Sequence, residues 1–287
     1  MLAIDSHRFA ARAASAAVLL GALAACAAGL EVVRPGFAAA PCPGEREQPV
    51  LGYEVMRVLP HDPGAYTQGL LVDGDWLLES TGLYGGSSVR RLERDSGRES
   101  VRIELPRHLF GEGLALAQGR LYQLTWQEGV VRIYRPDDFQ LLGTATIKGE
   151  GWGLSYDGER LVQSDGSATL YFRDTQTLAV VRQLTVHAGA RSVSGLNELE
   201  YVDGRIFANI YPTDCVAVID AADGRVTGWL DLSVLATEVR RRHPEAEVSN
   251  GIAYDPTSNT YYVTGKRWPE LFEIRIEEAS LPAPDRR

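Results

Sequence analysis

Five times along the chain an opening that ends in a glycine or a lone acid leads into an apolar strand, a turn and a second strand. The copies read YTQGLLVDGDWLLEST from Tyr66, FGEGLALAQGRLYQLTW from Phe110, GWGLSYDGERLVQSD from Gly151, LNELEYVDGRIFANIY from Leu196 and SNGIAYDPTSNTYYVTGK from Ser249. Aligned on Gly69, Gly113, Gly153, Glu198 and Gly251, they step by 44, 40, 45 and 53 residues. A period near 40 with several short strands per repeat predicts a β-propeller, one blade per copy. Residues at the same place in each copy then face one central channel.

Within each copy the pattern is strand, hairpin, strand, with Gly74, Gly119, Gly158 and Gly204 in the hairpin turns, where glycine supplies a positive φ. Third and fourth strands follow in four copies, at 88–92 and 99–103, 130–134 and 141–146, 169–173 and 179–184, and 216–219 and 226–230. The fifth copy has only three, the last over Leu271–Ile276. Its missing outer strand is expected from Tyr53–Leu59, ahead of the first copy, so that both chain ends close the ring and no edge is left open. The expected fold is all-β, a five-bladed propeller over 50–278. One helix, Leu232 to His243, is predicted before the last blade, with Ser233 as its cap and Pro244 as its stop. Arg240, Arg241 and Arg242 read as a solvated face.

Before residue 50 the sequence changes character. Arg8 and Arg12 precede an apolar stretch, Ala13 to Ala25, too short to span a bilayer comfortably, which reads as a signal peptide over 1–26. It ends in Leu23-Ala24-Ala25-Cys26, similar to a bacterial lipobox, which predicts a lipid anchor at Cys26. Cleavage near Ala38–Ala40, discarding Cys26, stays open. Both predict export, to the periplasm or anchored in the envelope. Residues 27–49 read as a linker and 279–287 as a tail. Export puts Cys42 and Cys215 in an oxidising compartment. The favoured reading leaves them unpaired, one buried and one flexible; a disulfide would require the N-terminal segment to lie against the fourth repeat. A net charge of −9 argues against nucleic acid and anionic membranes as partners. A monomer is expected.

Superposing the copies puts Gln68, Glu112, Trp152, Asn197 and Asn250 at the start of the innermost strand. Gly82, Trp126, Gly166, Tyr211 and Lys266 fall at the end of the second strand, which returns to the same mouth. One carboxylate, three amides, a lysine and aromatics around one opening make the default ligand site. Each has a plainer reading: amides satisfying backbone groups, tryptophans packing between blades, Lys266 pairing with Glu112. A carboxylate flanked by glycines at a crowded mouth is desolvated, which raises its pKa toward the range useful for proton transfer. The five histidines have no metal-ligand spacing, and neither a phosphate loop nor a nucleophile elbow is present. No cofactor and no metal site is expected.

The strings YTQGL, ESTGLYGGSSVR, FGEGLAL, YQLTWQEG, GEGWGLSYDG, LNELEYVDG, NGIAYD and TGKRWPELFE resemble the plant and bacterial type of glutaminyl cyclase, in order from about Tyr53 to Ile276. The resemblance implies a five-bladed propeller that converts an N-terminal glutamine of a peptide or protein to pyroglutamate with loss of ammonia. It places the acid/base carboxylate on Glu112, catalytic support on Lys266 and Asn197, and substrate contacts on Tyr66, Gln68, Phe110, Trp126, Trp152, Tyr211 and Asn250. Tyr211 stands where relatives commonly carry Trp. Two other functions stay open from the residues: a calcium-dependent lactonase-like hydrolase using Glu112, Asn197 and Asn250 as oxygen ligands, and a non-catalytic peptide-binding propeller.

Overall fold

Alternating apolar strands cannot bury both faces within one small sheet, so the copies stack radially. The computed structural model describes Cys42 and residues 48–277. Blade 1 is built from Thr67–Asp73, Trp76–Thr81, Ser88–Glu93 and Glu99–Glu104. Blade 2 uses Gly111–Ala117, Arg120–Thr125, Val130–Tyr134 and Leu141–Thr146, and blade 3 Leu154–Tyr156, Leu161–Gln163, Thr169–Arg173 and Val180–Thr185. Blade 4 uses Leu196–Val202, Arg205–Ile210, Cys215–Asp220 and Val226–Asp231. Blade 5 takes Ser249–Asp255, Thr260–Gly265 and Glu270–Ile276 from the end of the chain and Tyr53–Pro60 from its start, paired antiparallel from Tyr53↔Ile276 to Pro60↔Glu270. The innermost strands touch in a closed ring, 1 to 2 to 3 to 4 to 5 and back to 1. The five-bladed propeller and its closure are as the repeat predicts.

Burial follows position in the blade. The inner strands are buried on both faces, with Leu70, Leu114, Leu154, Leu199 and Ile252 at 2% exposure or less. Between blades 1 and 2, for example, Leu71, Leu78 and Val89 pack on Leu114, Leu121 and Tyr134. Outer strands such as Glu99–Glu104 are exposed and carry charges that discourage edge pairing. Blade 4 differs: its outer strand is buried because Val50 bridges Trp229 and Leu51 donates to the Trp229 carbonyl at 2.7 Å.

The inner strands approach so closely that a side chain is unwelcome at the aligned glycines: a Cβ on Gly69 would lie 2.7 Å from the Leu114 nitrogen. In the fourth copy Glu198 replaces glycine. Its carboxylate enters the channel and accepts the Leu70 and Ile252 N–H groups at 3.1 and 2.8 Å, tying blades 1, 4 and 5. Burial pushes its pKa well above the ordinary carboxylate value.

Three expectations are corrected. Cys42 and Cys215 form a disulfide, with Cα atoms 5.5 Å apart and both residues buried in the blade 3–4 core; Cys42 and residues 49–51 do lie against the fourth repeat. The helix runs Ser233–Arg242 with Leu232 as its cap residue; no cap side chain bonds its backbone, and Asp231 Oδ1 accepts the Ser233 N–H at 2.8 Å. Arg240 is not a solvated side chain: it pairs with buried Asp214 at 2.7 Å, and Asp214 also accepts the Ser249 N–H at the start of blade 5. Arg241 and Arg242 pair with Glu238 and Glu270. The signal peptide, Cys26, most of 27–49 and the tail 279–287 lie outside the described residues, among which no helix is long and apolar enough to cross a membrane.

Candidate active site

The first pairs of the inner strands explain why one mouth collects the polar side chains. In blades 1, 2, 4 and 5 the register slips between Thr67 and Gly69, Gly111 and Leu114, Leu196 and Leu199, and Ser249 and Ile252. Each slip is a β-bulge, which re-aims a side chain out of the ladder, and the residues on the bulges are Gln68, Glu112, Asn197 and Asn250. Gly251, at φ +118°, sits on the last of them. In blade 3, Trp152 precedes the first paired strand. The second strands deliver Trp126, Tyr211 and Lys266 just beyond their last paired residues. Where that position is Gly82 or Gly166 an aromatic fills the room: Phe110 lies over Gly82, and a Cβ on Gly166 would meet the Trp152 ring at 2.7 Å.

These residues converge on a cavity of about 210 Å³ lined by Tyr66, Gln68, Phe110, Glu112, Trp126, Trp152, Asn197, Tyr211 and Lys266. Nine of the ten residues singled out in the sequence line it; the tenth, Asn250, lies behind the wall. Its Nδ2 donates to Gln68 Oε1 at 3.0 Å and to the Thr67 carbonyl at 2.9 Å, so it holds Gln68 in place and does not line the pocket. Gln68 is itself a link: its Nε2 donates to Glu112 Oε1 at 2.6 Å, and its Oε1 also accepts from Lys266 Nζ. The acid and the cation are therefore coupled through one amide.

Two acceptors in this wall have no protein partner. Glu112 Oε2 and Asn197 Oδ1 are both buried and unbonded, a costly state that a ligand's N–H groups would relieve. Burial pushes the Glu112 carboxyl well above the usual range, against the pull of Lys266 and of the Gln68 hydrogen bond. Burial likewise lowers Lys266 to about 8, against Glu112 and Glu247. The Lys266 ammonium lies 4.6 Å from the Tyr66 ring centroid and 5.6 Å from that of Tyr211, so the aromatic wall replaces part of its lost hydration. Tyr66 is anchored in turn by its hydroxyl, which donates to Glu247 at 3.2 Å.

The fold is shared with known proteins. The model of the family described as glutamine cyclotransferase matches residues 23–276. A glutaminyl-peptide cyclotransferase from Arabidopsis thaliana is 41% identical over 235 residues, which are 79% of this chain and 72% of that one. The chain belongs to the glutamine cyclotransferase family. The crystal structure of Myxococcus xanthus glutaminyl cyclase superposes with a TM-score of 0.75 at 39% identity, covering 80% of this chain and 99% of that one. Among glutamine cyclotransferases, then, this chain presents a small aromatic pocket with a buried acid and a buried ammonium on one side. Two residues that hold the wall were missed in the sequence: Glu150, which accepts the indole N–H groups of Trp126 and Trp152, and Glu128, which accepts the Phe110 N–H at 3.4 Å. Both sit in connections outside the repeat, where superposing the copies carries no information.

Proposed function

We propose that this chain cyclises the N-terminal glutamine of peptides or proteins to pyroglutamate and releases ammonia. The single observation that carries this reading is the pairing of an unpartnered, desolvated Glu112 carboxylate oxygen with a buried ammonium in a cavity of about 210 Å³. That is less than the roughly 300–1,000 Å³ of pockets for drug-sized ligands, and it suits one amino-acid residue.

The reaction is an intramolecular acyl transfer. The α-nitrogen bonds to the γ-carbonyl carbon, the carbonyl oxygen takes up negative charge, and the bond to the side-chain nitrogen then breaks. A free α-amine has a pKa of about 7.7–8.0, so a base that removes its proton speeds attack near neutral pH. The neutral amine attacks; as the new C–N bond forms, Glu112 takes a proton from the α-nitrogen and delivers it to the departing nitrogen, which leaves as ammonia, one group serving both steps. Lys266 faces the developing oxyanion, a role worth on the order of 3 kcal/mol per donor. Asn197 presents an acceptor, Oδ1, so it suits a substrate N–H better than the oxyanion. The walls of Phe110, Trp126, Trp152 and Tyr211 exclude water and hold the glutamine curled for attack. The protons balance within the substrate and Glu112, and the steps need no metal. The Cys42–Cys215 disulfide suits an oxidising compartment, and with the N-terminal sequence it supports action on exported substrates, in the periplasm or from an envelope anchor.

A glutaminyl dipeptide incubated with the protein should release one ammonia per pyroglutamate, at the same rate with and without a chelator. Loss of activity on chelation would favour the calcium-dependent hydrolase, and binding without ammonia release a peptide-binding module.

Lys266 makes a second prediction. Its cation is present below its pKa and lost as pH rises through about 8, so kcat/KM should fall on the alkaline side from that point. The raised pKa of Glu112 sets the acid limb, because the carboxylate must be ionised to accept the proton. Lys266→Ala should lower kcat by about a hundredfold and abolish the alkaline limb. A variant whose KM alone rises would make Lys266 a binding residue.

A further inference from the structure

Glu150 lies in the connection between blades 2 and 3, outside every repeat, and carries no part of the mechanism above. Its Oε2 accepts two indole N–H groups at once, from Trp126 at 2.8 Å and from Trp152 at 2.9 Å. Those indoles belong to different blades, and no direct ring contact joins them. Around the mouth the remaining links are all side-chain contacts. Lys266 lies over Tyr66. Tyr66 meets Phe110 edge-on at 6.2 Å, and Phe110 meets Trp126 at 5.5 Å. Beyond the gap, Trp152 meets Tyr211 at 5.9 Å, and Tyr211 returns to Lys266. Glu150 closes that circuit. Its own backbone is pinned, since its carbonyl accepts Gln163 Nε2 at 2.8 Å.

We propose that Glu150 is a positioning residue for the reaction, a carboxylate clamp that fixes both tryptophans and so sets the shape of the pocket that curls the glutaminyl residue. The inference rests on the cyclising reading of the site. An indole buried against a ligand needs a hydrogen-bond acceptor, and hydrogen bonds to an ionised acceptor are shorter and about twice as strong as neutral ones. With the clamp gone, each indole is free to rotate, and a wall displaced by about 1 Å costs on the order of a hundredfold in a proximity-driven reaction.

Glu150 also acts through its charge. The charged groups facing Glu112 are Lys266 from blade 5 and Glu128 and Glu150 from the connections of blade 2, with the Tyr66 hydroxyl from blade 1. Burial is the main reason the Glu112 pKa is raised; Lys266 opposes it and the two acids add to it. Removing the charge of Glu150 therefore moves the acid limb of kcat/KM to lower pH.

The test compares wild type, Glu150→Gln and Glu150→Ala by steady-state kinetics on a glutaminyl dipeptide, by pH profile and by acrylamide quenching of tryptophan fluorescence. Glu150→Ala should lower kcat/KM about ten- to a hundredfold, mostly through kcat, and make the tryptophans more quenchable. Glu150→Gln keeps one carbonyl acceptor without the charge, so its loss should be smaller while its acid limb shifts down. Kinetics within threefold of wild type in both variants, or unchanged quenching, would overturn the proposal. If Glu150→Ala does not fold, Glu150→Gln decides through its pH profile and quenching. Failure of the cyclising reading is distinct: wild type itself would release no ammonia, while quenching would still report on the clamp.

Discussion

Glu112→Gln is expected to lower kcat by at least about a hundredfold, the low end for removal of a general acid–base group, while leaving the fold and ligand binding in place. The substitution is nearly isosteric. The new amide oxygen still accepts from Gln68 Nε2, which stands 2.6 Å from Glu112 Oε1, so the bulge that carries residue 112 keeps its anchor. What is lost is the capacity to hold a proton between attack and departure. A second effect follows from the coupling with Lys266: Glu112 is the main charge that opposes the depression of the Lys266 pKa. Without it the ammonium is harder to retain. The two effects separate by pH. A deficit caused only by neutral Lys266 would recover as pH falls, whereas loss of the base would not. Thermal unfolding and binding of a pyroglutamyl product should stay near wild type. Turnover within tenfold of wild type would remove Glu112 from the chemistry.

How much of this site could be read beforehand depends on which residues obey the repeat. Glu112, Gln68 and Asn197 were visible because superposition of the copies places them at one radial position, and Trp126, Tyr211 and Lys266 because antiparallel pairing brings the next strand back to the same mouth. The bulges were not visible. A one-residue slip leaves the apolar alternation downstream intact, and only the pairing reveals that the polar residue has been turned toward the channel. Asn250 shows the cost: it occupies the same aligned position, yet it sits behind Gln68. The Cys42–Cys215 bond was hidden for a related reason. Nothing in the composition of 27–49 shows that Cys42 bonds to blade 4 or that the Pro49 carbonyl accepts the Trp229 N–H there, at 2.9 Å. Interactions that join the repeat to what lies outside it are the ones a periodic pattern cannot contain. Glu150 is one; His61, bonded to Glu79 of blade 1 and to the Trp268 carbonyl of blade 5, is another.

That last contact belongs to the network whose removal should cost the most stability. Glu79 is fully buried in blade 1. Its carboxylate accepts from Arg90 Nε and Nη2 at 3.0 and 2.7 Å, from Thr67 Oγ1 at 2.7 Å, and lies 3.1 Å from His61 Nε2. Burial alone would push its pKa up, but Arg90 and His61 hold it well below the ordinary value. Glu79→Ala strands the Arg90 guanidinium, 1% exposed, with only Asp62 at 2.7 Å and Glu99 at 3.4 Å. Breaking a buried pair from one side costs about 3–5 kcal/mol, which for a domain of this size lowers Tm by about 6–20 °C. The sign of the pH dependence follows from the depressed pKa. The contribution of Glu79 is present above the unfolded carboxylate value, near 4.3, and is lost as pH falls through the lower folded value. Wild type and variant should therefore differ most near neutral pH and draw together below about pH 4. The loss should also reach the pocket, because Thr67 directly precedes Gln68 on the bulge and gives up its hydroxyl partner in the variant. A chemical-denaturation difference under about 1 kcal/mol at pH 7 would mean that water or Asp62 takes over the guanidinium, and that the network contributes far less than a buried pair should.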